Sequence, residues 1–419
     1  MLPLLLLLLP LAARGQESIF RINEKLTTDP NFDHDFRELV GIQDRQTAEF
    51  AADLTRSSRQ LDALRTCGES RAPETTEVDY LRLSDIAIYA DIGHLSTYCT
   101  HERASLEKGD LDTCRHSSHS SPHTTLDKLI GVFAPNLTVV HVEQHTEEHF
   151  EDQAVRLAQR ISEVPRAHEL WKIIFILPNI QDGEAKEASQ TAVTVMEAIK
   201  SIEEKLPTKT LVVVVRSSGK GIWKDASHAH SACSTMLERW SEYVRNNRND
   251  TWEQIESIVS NNFHRPDFTV EFLPLLDRAA LVQLPNSTDL SSLGYDCTHW
   301  SARGLTTFHE AIWNALLTKS HERSGEFRPK AHQLLCPDPH CPFVRTANNS
   351  ARCWWNAVEP STPSLAPQLI AMAILLVALT LCLCLVCFLC CRKRDVKGKK
   401  EKAFGSNFSS IRFIDDDAP

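Results

Sequence analysis

Five short apolar runs limit what this chain can fold into. They span residues 86–90, 137–140, 173–177, 211–215 and 268–272, each of strand length and enriched in β-branched or aromatic side chains. Most are apolar throughout rather than alternating, the pattern of strands buried on both faces. Helical stripes lie between them: Phe150, Ala154, Leu157 and Ile161; then Ala192, Val195, Met196, Ile199 and Ile202; then Met236, Trp240 and Val244, followed by Trp252, Ile255 and Val259. Buried strands separated by amphipathic helices predict a three-layer α/β/α domain over residues 80–320, with a parallel sheet covered on both sides. In such sheets functional residues gather at the carboxyl ends of the strands, here just after Ala90, Val140, Leu177 and Val215.

The flanks differ in texture. Residues 16–79 read as a helical lead-in, with Phe36, Leu39, Val40, Ala48, Ala51, Leu54, Leu61 and Leu64 at helical spacing. Residues 321–368 read as a Cys/Pro-rich extension and stalk. Residues 1–15 carry a leucine core followed by small residues, which predicts a cleaved secretory signal. Residues 369–391 hold no charge and predict one transmembrane helix. Arg392, Lys393 and Arg394 follow at once, which predicts a type I protein with residues 392–419 as a cytosolic tail and the folded domain extracellular or luminal.

Eight of the 13 cysteines precede that span, an even number that predicts disulfides without choosing their pairing. Residues 101–123 read as an exposed His/Ser-rich loop pinned by Cys99 and Cys114. Cys390 and Cys391 are candidates for palmitoylation. Sequons at Asn136, Asn249, Asn286 and Asn348 predict glycosylated surface. A formal net charge of −10 argues against a nucleic-acid partner. His141, His145 and His149 recur every four residues, but interleaved Glu143, Glu147 and Glu148 favour a solvated loop over a metal site. His228 and His230 read as part of a polar surface loop.

The chemistry-bearing stretch is Asp296-Cys297-Thr298-His299-Trp300-Ser301. Ser301 suits the N-cap of a helix carrying Leu305, Phe308, Ile312 and Leu316 on one face. Asp296 and His299 then share the preceding loop, where a carboxylate can orient an imidazole that acts as general base. The nucleophile must come from elsewhere. His94 is a further candidate neighbour of His299.

Several spaced blocks resemble one family in order. They are Leu81-Arg82-Leu83-Ser84-Asp85-Ile86 with Gly93; residues 171–177; the Asp296–Ser301 stretch with Gly304, Trp313 and Asn314; and Leu335-Cys336-Pro337 with Pro342, Asn349 and Ser350. Together they are similar to the membrane-associated phospholipase B family of the GDSL, or SGNH, hydrolases. The resemblance implies an SGNH-type α/β/α fold and acyl transfer from phospholipids or lysophospholipids to water, with no cofactor. It also implies a serine in G-D-S-L after the first strand, a glycine and an asparagine near the oxyanion, and an Asp–His pair from one late loop.

Against that pattern the first block departs. Gly93-His94-Leu95-Ser96 stands where the family has G-D-S-L, so Leu95 takes the nucleophile position and Ser96 lies one residue further on. In the second block Gln144 replaces a glycine, and in the third Asn179-Ile180-Gln181-Asp182 replaces G-x-N-D. Gln181 thus stands for the oxyanion asparagine and Asp182 alone matches. Loss of one oxyanion donor costs about 100- to 1,000-fold in turnover, and loss of the nucleophile costs more. Three readings follow: a hydrolase impaired by Leu95, an active phospholipase using Ser96 with His299 and Asp296, and a non-catalytic ectodomain that binds lipid or protein.

Overall fold

Alternating side chains send both faces of the central sheet into apolar surroundings, and that fixes where the helices pack. The computed structural model describes residues 25–68, 75–93, 95–99, 114–116, 124–142, 150–177, 188–216, 221–237, 250–353 and 372–386. The sheet strands are β1 (Ile86–Gly93), β2 (Thr138–His141), β3 (Trp171–Leu177), β4 (Thr210–Val215) and β5 (Phe268–Leu273). They run parallel in the order β2-β1-β3-β4-β5. The chain steps from β1 to β2 on one side, then crosses back to β3 on the other. The crevice at the carboxyl ends of β1 and β3 is therefore the topological switch point, where ligands of open α/β sheets bind.

The helices are α1 (Pro30–Glu49), α2 (Ala51–Leu64), α3 (Leu126–Gly131), α4 (Phe150–Ser162), α5 (Ala188–Lys205), α6 (Gly221–Ala229), α7 (Ser231–Met236), α8 (Asp250–Asn262) and α9 (Ala302–Leu317). Ile88, Ala90 and Ile92 of β1 pack with Ala154, Leu157 and Ile161 of α4, Ile199 and Ile202 of α5, and Ile255 of α8. The other face carries Tyr89, Ile173, Phe175 and Val213 against α1, α3, α6 and α9. The five strands appear where the apolar runs place them, extended by one to three residues at some ends.

One expectation is revised. The residues around Trp223 and His228 form α6 rather than a polar loop, because Ile222 and Ala226 supply a buried helical face. The lead-in joins the core: Phe32, Phe36, Leu39 and Val40 of α1 sit with Leu126, Phe308 and Ile312. The extension also joins that core through buried Val344, whose N–H bonds to the Leu81 carbonyl at 2.8 Å.

Disulfides join Cys67 to Cys336, Cys233 to Cys297 and Cys341 to Cys353. Cys99 and Cys114 face each other in the register of a two-stranded antiparallel ribbon. The chain groups into two units, Met1–Trp355 and Asn356–Pro419. In the second, residues 372–386 are helical, and Met372, Leu375 and Leu379 are more than half exposed. Among the described residues no helix is long and apolar enough to cross a membrane. The expected span, 369–391, reaches past the described helix at both ends, and the signal and cytosolic tail lie outside the described residues.

Candidate active site at the carboxyl edge of the sheet

Asp296 folds its own loop around itself. Its Oδ1 accepts the backbone N–H groups of Thr298 at 3.1 Å and His299 at 3.2 Å, and its Oδ2 accepts the Thr298 hydroxyl at 2.7 Å. The ring Nδ1–H of His299 donates to the same Oδ2 at 2.5 Å. A carboxylate this short hydrogen-bonds naturally to its own backbone two and three residues on. Burial opposes the charge on Asp296, but the field of His299, its ring hydrogen bond and the Thr298 hydroxyl hold the carboxyl well below its ordinary range. With Nδ1 donating to Asp296, the ring presents Nε2 as its basic atom, the tautomer a general base needs. Both side chains stay partly open, His299 at 27% and Asp296 at 22% exposure.

This loop is held from several directions. Cys297 adopts the left-handed region at φ 57°, which non-glycine residues enter at a cost of about 1 kcal/mol. Its buried disulfide to Cys233 ties that strained position to α7. The Trp223 indole N–H of α6 donates to the Thr298 carbonyl at 3.2 Å. Ser301 is the N-cap, as its position predicts: its hydroxyl accepts the Gly304 N–H at 3.2 Å and donates to the Ser291 carbonyl at 2.6 Å. A Cβ on Gly304 would lie 2.0 Å from the Ser292 carbonyl oxygen, so only glycine lets α9 start this close to the loop. Arg303 pairs with buried Asp289 at 2.6 Å and lies 4.0 Å from the Phe50 ring centroid.

The turn after β1 is built differently. Gly93 takes φ 82°, and a Cβ there would lie 1.8 Å from the Leu177 carbonyl oxygen, so the close approach of β1 to β3 requires glycine. Leu95 is fully buried in the core beneath the turn. Its carbonyl accepts from Nε2 of His309 on α9 at 2.8 Å, while Nδ1 of the same ring accepts the Leu126 N–H at 3.2 Å. That second contact leaves the proton on Nε2 and fixes His309 as a neutral clamp.

Ser96 is 3% exposed, and its hydroxyl donates to Asp91 Oδ2 at 2.6 Å. Tyr89 donates to the same oxygen at 2.9 Å, and Nδ1 of His141 lies 3.6 Å from Oδ1. Burial, then the charges of Asp91 and Asp127, push the Tyr89 phenol well above its ordinary value. Burial works against a charge on His141, yet the hydrogen bond and field of Asp91, aided by Asp127, raise its pKa above the ordinary value.

Asp296 and His299 are therefore brought together, and Ser96 is bonded to Asp91 rather than to them. Gln181, Asp182, Gln144, His94, His145 and His149 lie outside the described residues, as does Asn249. Asn136, Asn286 and Asn348 are exposed. His141 closes β2. Among the described residues no group of three or more His, Cys, Asp or Glu side chains is arranged to hold a metal ion. Asp91, His309 and the buried amides of α1 went unread in the sequence. Asp91 follows an apolar run that continues as strand, a weak signal of a buried carboxylate with a task.

No protein-family model matches the chain, and no solved structure does. The chain is similar to curated proteins described as phospholipase B1, membrane-associated. It is 25% identical to the one from Rattus norvegicus over 328 residues, covering 66% of this chain and 22% of that one. The Mus musculus protein is 25% identical over 342 residues and the Homo sapiens protein 24% over 331, each covering 68% of this chain. The chain thus spans about a fifth of the length of these relatives.

Proposed function

We propose that this chain is a phospholipase-B-like protein of the SGNH lipid ester hydrolase class, membrane-anchored, in which the hydrolytic site has lost its nucleophile. Similarity to phospholipase B1 supports a phospholipase-like ancestry and a phospholipid or lysophospholipid as the molecule recognised. The strand order, with its switch point between β1 and β3, supports the SGNH-type architecture. One observation carries the loss: Leu95, at the position of the family serine, is packed into the core, and the adjacent Ser96 hydroxyl is committed to Asp91. A leucine has no group to attack a carbonyl. Recruiting Ser96 would require breaking a charge-assisted bond and turning a buried hydroxyl outward.

The apolar, exposed helix of residues 372–386, followed in sequence by Arg392, Lys393 and Arg394, supports a type I anchor. Exposed Asn136, Asn286 and Asn348 support glycosylation of the ectodomain. With the nucleophile gone, the crevice would serve binding of lipid or protein rather than turnover.

The test is covalent labelling of the purified full-length chain with a fluorophosphonate probe, alongside fatty-acid release from phosphatidylcholine and lysophosphatidylcholine. Wild type and Ser96→Ala should both remain unlabelled, with release at the blank rate. Labelling of the wild type that Ser96→Ala abolishes would establish Ser96 as nucleophile and end the impaired-hydrolase reading.

A further inference from the structure

The loop that carries Asp296 and His299 closes on one peptide group. The Gly294 N–H donates to the His299 carbonyl at 2.8 Å, and the Gly294 carbonyl accepts the Cys297 N–H at 3.0 Å. Whatever holds Gly294 therefore holds both ends of the acid–base turn. Gln43 does so from α1. It is fully buried, and its side-chain amide nitrogen lies 3.0 Å from the Gly294 carbonyl, 3.2 Å from that of Leu290 and 3.3 Å from that of Leu293.

Gln46, one turn along the same face, donates to the Thr288 carbonyl at 2.9 Å and accepts the Leu290 N–H at 2.8 Å. Between them, the Tyr295 hydroxyl donates to Asp44 at 2.7 Å. These amides interrupt a helix face that is otherwise apolar, with Phe32, Phe36, Leu39 and Val40. Apolar residues there would serve packing alone, but would strand the loop carbonyls without donors.

We propose that Gln43 and Gln46 are positioning residues for the Asp296–His299 couple, making α1 a component of the site rather than a lead-in to it. This rests on the couple being the functional arm, and it does not depend on whether a nucleophile remains. The residues act through the backbone of the loop; neither touches the imidazole or the carboxylate.

The experiment is proton NMR of the full-length chain, following the low-field signal of the His299 ring N–H donated to Asp296. The wild type should show it, and His299→Gln should abolish it, which assigns it. Gln43→Met, matched in shape but without a donor, should lose or broadly exchange the signal while the far-ultraviolet circular dichroism is retained. Val259→Ala, a core truncation on the opposite face of the sheet, should lower Tm and leave the signal intact. If Gln43→Met does not fold, Gln46→Met, which removes the donor to the Thr288 carbonyl and the acceptor for the Leu290 N–H, should still weaken the signal. A signal unchanged in Gln43→Met, or in Gln46→Met where Gln43→Met does not fold, would overturn the proposal. Its absence from the wild type would instead overturn the acid–base couple itself.

Discussion

The two arms of the candidate site are built in opposite ways. The arm ahead of α9 keeps its acid and base and is anchored by a disulfide, an indole, an N-cap and the amides of α1. The arm after β1 turns on a glycine and its side chains point inward, Leu95 to the core and Ser96 to Asp91. The difference teaches caution about what a surviving motif means. Asp296, Cys297 and Ser301 each hold the fold as well as serving any chemistry, so loss of catalysis would not release them.

Substitutions can sharpen or break that contrast. The largest effect should come from Cys297→Ser, which opens a disulfide bridging a sequence separation of 64. The chain-entropy relation gives about 4 kcal/mol, read as a lower midpoint in urea unfolding. A loss near zero would mean that the acid–base arm does not depend on its anchor. Gly93→Ala should cost about 3 kcal/mol from the left-handed backbone and the collision with Leu177. A neutral result would show that the β1–β3 approach is soft. Ser96→Ala should cost about 1.5 kcal/mol, the worth of a hydrogen bond to a charged acceptor, without changing probe labelling.

A last contrast separates the arms by pH. Asp296 is held below its ordinary pKa, so its contribution is complete above about pH 4 and fades as pH falls toward its folded value. His141 is held above its ordinary value, so its contribution is complete below about pH 6.5 and fades as pH rises through its folded value. Stability curves of Asp296→Asn and Asp91→Asn should therefore lose opposite flanks of the profile. Loss of the same flank in both would refute the assignment of one titrating pair to each arm.

Much of the scaffold was legible because its signals are periodic. Residues 173–177 and 211–215 could hardly be anything but buried strands, and Ser301 ahead of Leu305 and Phe308 announced α9. The acid–base pair was legible by spacing, since Asp296 and His299 need only their own loop to meet. The remainder was set by partners far along the chain. Gln43 and Gln46 look like solvent-facing residues until the loop carbonyls arrive to be satisfied, and a buried Asp91 leaves no rhythm in a strand. Likewise Trp223 and His228 read as loop because their helix is short and only two of its residues, Ile222 and Ala226, are buried.

The bond from Gln43 to Leu293 spans 250 residues, and the Cys67–Cys336 bridge spans 269. During synthesis the apolar stripe of α1 therefore emerges long before the segment that covers it. At about 5–20 residues per second, the wait is roughly 10 to 50 s. Over that interval Phe32, Phe36 and Leu39 must be shielded by something other than their final partners, and Cys67 must stay unpaired or pair provisionally. The demand falls on chaperones and on disulfide exchange, so the yield of this protein should track the folding capacity of its compartment more closely than its final stability.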